Sequence, residues 1–191
     1  MALACAIVSG SSQTFFLFFF LAYILAHYDQ LAEEIIYQCD EKIDAVVVGT
    51  GTGGTMTGIA RKIKERIPNT ITVAADPYGS ILAIPASLNE GDHGPNKVEG
   101  IGYDFIPRTC ARESIDHWVK TDDPPSFTNA RGLIRDEGLL AGGSAGSVTQ
   151  AAFEFIKAKG WENDPTKRVV LVYSDSIRNY LSKFLSAEWC A

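Results

Sequence analysis

The chain has 191 residues, 46% of them apolar and 21% charged, enough for one domain with a sizeable core. Its 17 glycines and 8 prolines are close to globular norms, which excludes a disordered tail, a collagen-like fibre and a disulfide scaffold. Lys and Arg number 17 against 23 Asp and Glu, a formal net charge of −6, so the surface lacks the basic face that nucleic-acid binding requires.

Residues 1–26 carry no Asp, Glu, Lys or Arg. Two apolar runs, Met1–Val8 and Phe15–Ala26, flank the polar stretch Ser9–Thr14. As a helix the second run is about 18 Å long, short of a bilayer core of roughly 30 Å. The first basic residue is Lys42, so the positive flank of a secretory signal is missing, as is a small-x-small cleavage site. Three readings stay open for this segment: a terminus without targeting value, membrane contact through residues 1–26, and secretion. Left exposed, Phe15–Phe20 would drive aggregation. Cys5, Cys39, Cys110 and Cys190 form no C-x-x-C pair and are expected as reduced thiols of a cytoplasmic protein. His27, His93 and His117 have no partner at metal-ligand spacing, so no metal site is expected.

From Tyr28 onward the pattern is that of an α/β domain. Asp29 offers a cap for a helix over Gln30–Glu41 with Leu31, Ile35 and Ile36 on one face. Ile43–Val48 is a β-branched run expected as a buried strand. Gly49-Thr50-Gly51-Thr52-Gly53-Gly54 follows, and a helix opens near Thr55 with Met56, Ile59, Ala60, Ile63 and Ile67 at helical spacing. Arg61, Lys62, Lys64 and Arg66 crowd toward its end, where cations suit the helix dipole. Ile71–Ala75 is the next strand. Tyr78–Pro107 is expected as loops, then helices near Arg112–Trp118 and Ser126–Glu137. A short strand at Gly138–Ala141 leads into Gly142–Gly146, followed by a helix over Ser147–Lys159. Arg168–Tyr173 is a strand and Ile177–Ala187 an amphipathic final helix. Two strand–glycine loop–helix modules predict a twisted parallel sheet with helices on both faces.

Gly49–Gly54 matches G-x-G-x-x-G between a strand and a helix. Unpaired N–H groups at such a helix start attract phosphate, and glycine removes the Cβ that would obstruct it. Asp76, at the end of the next strand, is where a dinucleotide fold places its ribose-binding acid, so an NAD(P)-binding oxidoreductase is one reading. In the second loop Ser144 either caps the following helix or offers its hydroxyl to a ring nitrogen or a second anion.

Several runs resemble the cystathionine β-synthase branch of the fold-type-II pyridoxal-phosphate enzymes. They are Leu25-Ala26-His27-Tyr28-Asp29, Gly51-Thr52-Gly53-Gly54-Thr55, Glu99-Gly100-Ile101-Gly102-Tyr103-Asp104-Phe105-Ile106-Pro107, Gly142–Ser147 and Asp175-Ser176-Ile177-Arg178-Asn179-Tyr180. The likeness runs in order from about Leu25 to Trp189. It implies that Gly51, Thr52, Gly53, Gly54 and Thr55 hold the phosphate of pyridoxal 5′-phosphate, that Ser144 faces the pyridine nitrogen, and that Glu99, Gly100, Gly102 and Tyr103 line the substrate cleft. It also implies a lyase that condenses serine with homocysteine to cystathionine, a homodimer when complete, and no ribose for Asp76 to hold.

The resemblance leaves gaps. That family holds its cofactor as a Schiff base on a lysine upstream of the glycine loop, and no such segment is found here. The lysines at 42, 62, 64, 97, 120, 157, 159, 167 and 183 all read as solvated surface, so no catalytic residue is identified. Residues 1–24 are unlike the family, and 25–191 read as a partial catalytic domain. A truncated, weakly active or inactive form is therefore expected, with the coenzyme bound without a covalent link. The family's haem-binding stretch and regulatory domains have no counterpart, so haem is not expected. A non-catalytic, membrane-associated form is the remaining alternative.

Overall fold

The computed structural model describes residues 22–91 and 94–190; the apolar run Met1–Val8, Cys5, His93 and most of Phe15–Ala26 lie outside them. No helix among the described residues is long and apolar enough to cross a membrane.

Among the described residues four strands form one parallel sheet: β1 (Ala45–Gly49), β2 (Ile71–Pro77), β3 (His117–Thr121) and β4 (Val169–Val172), in the order β3-β2-β1-β4. Ala45 pairs with Ile71 on one side and with Val169 on the other, which leaves the short run Ala45–Val48 fully buried. Continuous β-branched runs of this kind suit a strand covered on both faces. The period-2 alternation then sorts the side chains. Val46 and Val48 pack with Ile36, Met56, Ile59 and Ile63 from α1 (Ala32–Gln38) and α2 (Gly54–Arg66). Ala45 and Val47 face the opposite way, onto Val148, Ala151, Ala152 and Phe155 of α4 (Gly143–Lys159). Helices thus cover both faces. Each fully buried Val or Ile in these layers contributes about 1.5–3 kcal/mol.

Several expected elements are corrected. Residues 22–38 are helical throughout, with a π turn at His27–Leu31, so Asp29 lies inside the helix and caps nothing. The expected helix near Arg112–Trp118 is a single 3-10 turn at Arg112–Ser114, and His117 and Trp118 instead open the strand His117–Thr121. His117–Thr121 has no turn residue inside it, and pairing with β2 decided its form. Leu139 and Leu140 form no strand; only Ala141 bridges, antiparallel, to Ser176. The expected final helix is a 3-10 turn at Ile177–Asn179 and then, after irregular chain, α5 (Ala187–Cys190). Here Tyr180 and Phe184 turn in against α3 (Asp123–Glu137), where Phe127 stacks on Phe184 at 5.3 Å. Tertiary burial of two aromatics overrode the helical spacing.

The α3–α4 contact depends on Gly146. A Cβ there would lie 1.8 Å from the carbonyl oxygen of Ser126 and 2.8 Å from the Ala130 nitrogen. Gly146→Ala must separate two backbones, and a loss of about 3 kcal/mol is expected, read as a lower urea midpoint at unchanged slope. At the other end of the sheet, Asp44 accepts from the Arg168 backbone N–H and from Lys167 Nζ, both at 2.9 Å. The Arg168 hydrogen bond holds its carboxyl below the ordinary 3.8. A depressed carboxylate stabilises the fold above that value and loses its contribution as pH falls through the lower folded one. Asp44→Asn is expected to cost about 1 kcal/mol near neutrality, discounted for its part exposure. The difference from the parent protein should shrink in acid unfolding below pH 3.8.

Candidate functional site

The chain leaves β1 toward β2 and β3 and comes back on the far side of β1 as β4. Chain order therefore reverses between β1 and β4, and a crevice at the carboxyl ends of those strands is where open α/β sheets bind ligands. The predicted glycine loop sits there. Gly53 has φ +80° and precedes α2 without any side-chain cap, and the first turn of α2 holds no acidic residue. Its leading N–H groups and the positive end of the helix dipole are left for something outside the helix.

Beside this helix start lies a cavity of about 110 Å³ lined by Tyr23, Gly49, Gly51, Thr52, Gly53, Thr55, Met56, Gly100 and Ser174. None of these carries a charge. The volume suits a phosphate group, whereas sites for whole drug-sized molecules run to roughly 300–1,000 Å³. A larger hollow of about 630 Å³ borders β3 at Tyr78, His117, Lys120 and Phe155, and contains none of the predicted site residues.

The glycines are needed for a reason the motif does not reveal. A Cβ on Gly51 would come within 2.5 Å of the Gly100 carbonyl oxygen, and one on Gly53 within 2.4 Å of Cys110 Cβ. Neighbouring protein segments press against the loop. Thr109 Oγ1 donates to the Thr52 carbonyl, and Thr57 Oγ1 donates to the Thr109 carbonyl at 2.7 Å. The Gly102 N–H donates to the Thr50 carbonyl at 2.9 Å. The strap at 107–111 and the loop at 99–103 thus form two walls of one cradle.

Of the predicted cleft residues, Gly100 lines the cavity, and Gly102 and Tyr103 are fixed beside it by backbone bonds, Tyr103 N–H to Ser80 Oγ at 3.1 Å. Glu99 is paired with Lys183. Ser144 is the second residue of α4 and 5% exposed; the helix is capped by Gly142 without any side-chain bond, so Ser144 is not the cap. The two glycine-rich turns flank Ser174 and Asp175: Ser174 lines the cavity, and the Gly142 N–H donates to the Asp175 carbonyl at 3.1 Å. Tyr23, Met56 and Ser174 join the cavity without having been singled out, because they reach it through the fold and carry no local motif.

Two sequence expectations change. Asp76 lies within β2, fully buried, and its Oδ2 accepts from Lys120 Nζ at 2.8 Å. Burial raises its pKa against that partner, and its carboxylate does not line the cavity. Lys120 is not a solvated lysine: 8% exposed, it also donates to the Ser80 carbonyl at 3.0 Å and to Asn89 Oδ1 at 3.3 Å. In the sequence every lysine reads as solvated surface, and nothing local to Lys120 marks the buried Asp76 that it meets across the sheet.

Cys110, behind Gly53, is buried, and burial pushes its thiol up to about 11. At pH 8 only about one thiol in a thousand is then ionised. Iodoacetamide on the native protein should leave the Cys110 peptide unlabelled while half-exposed Cys39 reacts, as read by peptide mass spectrometry.

Comparison with known proteins agrees with this geometry. The family described as pyridoxal-phosphate dependent enzyme matches residues 12–175. The chain is 54% identical over 165 residues to the cystathionine β-synthase of Dictyostelium discoideum, covering 86% of this chain and 32% of that protein. It is 52% identical over 165 residues to the cystathionine β-synthase of Rattus norvegicus, covering 86% of this chain and 29% of that one. It is 36% identical over 158 residues to the cysteine synthase of Helicobacter pylori, covering 83% and 48%. The chain thus spans about a third of the length of the cystathionine β-synthases it matches. These likenesses imply pyridoxal phosphate as the cofactor, and with most of its length matched the chain belongs to the pyridoxal-phosphate dependent enzymes.

Proposed function

We propose that the chain holds pyridoxal 5′-phosphate by its phosphate, on the amides and hydroxyls of Gly51, Thr52, Gly53, Gly54 and Thr55. The observation that supports this most is the uncapped start of α2, which opens beside a cavity with no carboxylate in its lining. A helix N-terminus in that state favours an anion by dipole and by free N–H groups together. Ser144 offers a hydroxyl to the pyridine nitrogen. It sits in the first turn of α4, whose positive end disfavours a protonated ring, so a neutral hydrogen bond is the better match. Glu99, Gly100, Gly102 and Tyr103 form the wall toward an amino-acid substrate.

When bound, the cofactor supplies an electron sink for bond changes at the α and β carbons of an amino acid. The resemblance to the cystathionine β-synthases implies that a complete enzyme of this kind condenses serine with homocysteine to give cystathionine, as a homodimer. Among the described residues no lysine lines the cradle, so on this reading the cofactor is held without a covalent link and β-replacement by the chain alone is weak or absent. The same reading places the protein in the cytoplasm, with membrane contact through residues 1–26 as the alternative. An NAD(P) site is disfavoured because Asp76 is committed to Lys120 and does not line the cradle.

Purified protein titrated with pyridoxal phosphate should bind it in competition with inorganic phosphate. Borohydride should leave no pyridoxyl-lysine, and serine with homocysteine should give no measurable cystathionine. Efficient fixation onto a lysine with turnover would overturn the non-covalent reading. Thermal stabilisation by NADH and none by pyridoxal phosphate would overturn the cofactor site.

A further inference from the structure

The helical run 22–38 crosses α2 at Gly58, where a Cβ would fall 2.7 Å from the Ile24 carbonyl oxygen and 2.8 Å from His27 Cβ. That close crossing brings His27 to the first turn of α2, with Nε2 3.1 Å from Thr55 Oγ1. Tyr23 meets the imidazole edge-on, 5.1 Å between centroids, and its ring lies over Gly54. The π turn of this run begins at His27. Single π turns shift the side-chain register of a helix and concentrate at functional positions.

The proton count at Thr55 decides what this contact does. A hydroxyl has one proton and two lone pairs, and neutral imidazole donates from one nitrogen and accepts at the other. A phosphate monoester near neutral pH is essentially an acceptor. If Thr55 gave its proton to His27, it would present a lone pair to the phosphate oxygen and repel it. If His27 donates instead, the single proton of Thr55 is free to point into the cradle. Partial burial lowers the His27 pKa from its ordinary 6.5, which favours the neutral ring, and the tautomer is then the deciding variable.

We infer that His27 is a positioning residue of the phosphate subsite: its Nε2–H donates to Thr55 Oγ1 and so turns the threonine proton toward a phosphate oxygen. The inference rests on the reading of Gly51–Thr55 as that subsite. It assigns a role to a residue that neither the glycine motif nor the charge pattern marks, and it explains why Thr55, only part-exposed, is bridged to a separate helix.

Two measurements on the full chain test it. Long-range proton–nitrogen spectra of histidine-labelled protein with pyridoxal phosphate bound, at pH 7.5, should show the Nε2–H tautomer at His27; the Nδ1–H tautomer would overturn the inference without any variant being made. In pyridoxal phosphate titrations, Thr55→Ala should weaken binding about ten- to a hundredfold, the loss of one hydrogen bond to a charged group, and His27→Leu by a smaller factor of about three- to tenfold, the loss of the neutral bond that orients it. Because His27 acts only through Thr55, the double variant should be no weaker than Thr55→Ala alone. His27→Gln, whose amide N–H reaches the Nε2 position, should bind within about twofold of the parent, whereas the shorter His27→Asn should resemble Leu, a contrast that a general loss of packing would not give. Pyridoxal, which lacks the phosphate, should bind all variants alike. Unchanged affinity in His27→Leu with a weakened Thr55→Ala would sink the inference and leave the phosphate site standing. If Thr55→Ala has no effect and phosphate does not move the amide resonances of Gly51–Thr55, the site reading fails and the inference with it.

Discussion

The cradle exists because three backbone segments approach the end of β1 more closely than any side chain would permit. Gly51 faces the Gly100 carbonyl and Gly53, at φ +80°, faces Cys110. With Cβ atoms at these positions the loop at 99–103 and the strap at 107–111 would be forced outward, and the space beside the α2 start would open into solvent. Helix-terminal N–H groups are useful to an anion only where bulk water is restrained from competing for them. The glycines therefore act indirectly: they allow the protein to build the walls of the cradle.

Those walls are held in turn by the interior of the sheet. Asp76 on β2 and Lys120 on β3 are register neighbours and form a buried ion pair. Such a pair is weak evidence for stability, since desolvation offsets much of the attraction, but it is demanding of geometry. Lys120 spends a second proton on the Ser80 carbonyl, and Ser80 Oγ accepts from the Tyr103 N–H and donates to the Tyr103 carbonyl. The loop carrying Gly100 is thus registered against β2 through a polar chain that begins two strands away from the cradle. An acid that looked like a ligand contact proves to be a structural anchor for the opposite wall.

The electrostatics at the two helix starts complement each other. Both α2 and α4 open on glycine caps with no acidic residue in the first turn, so two positive helix ends converge on the segment carrying Ser174. A site of that kind favours negative charge and discourages a second positive one. This agrees with the proposed reading, in which an anionic phosphate lies at the α2 start and the Ser144 hydroxyl faces the ring nitrogen.

What the residue order determined by itself is local. The β-branched runs at 45–48 and 169–172, the glycine turn between strand and helix, and the apolar stripes of α2 and α4 are each written in neighbouring residues, and their period predicts a parallel sheet covered on both faces. Tertiary structure decided whatever depends on partners far along the chain. His117–Thr121 became a strand because β2 offers it an open edge, and Lys120 went inside because Asp76 waits there. Ile177–Ala187 gave up a helix so that Tyr180 and Phe184 could reach α3. His27 and Tyr23 arrive at the cradle only through a helix crossing at Gly58, and no spacing within one segment encodes contacts made between two.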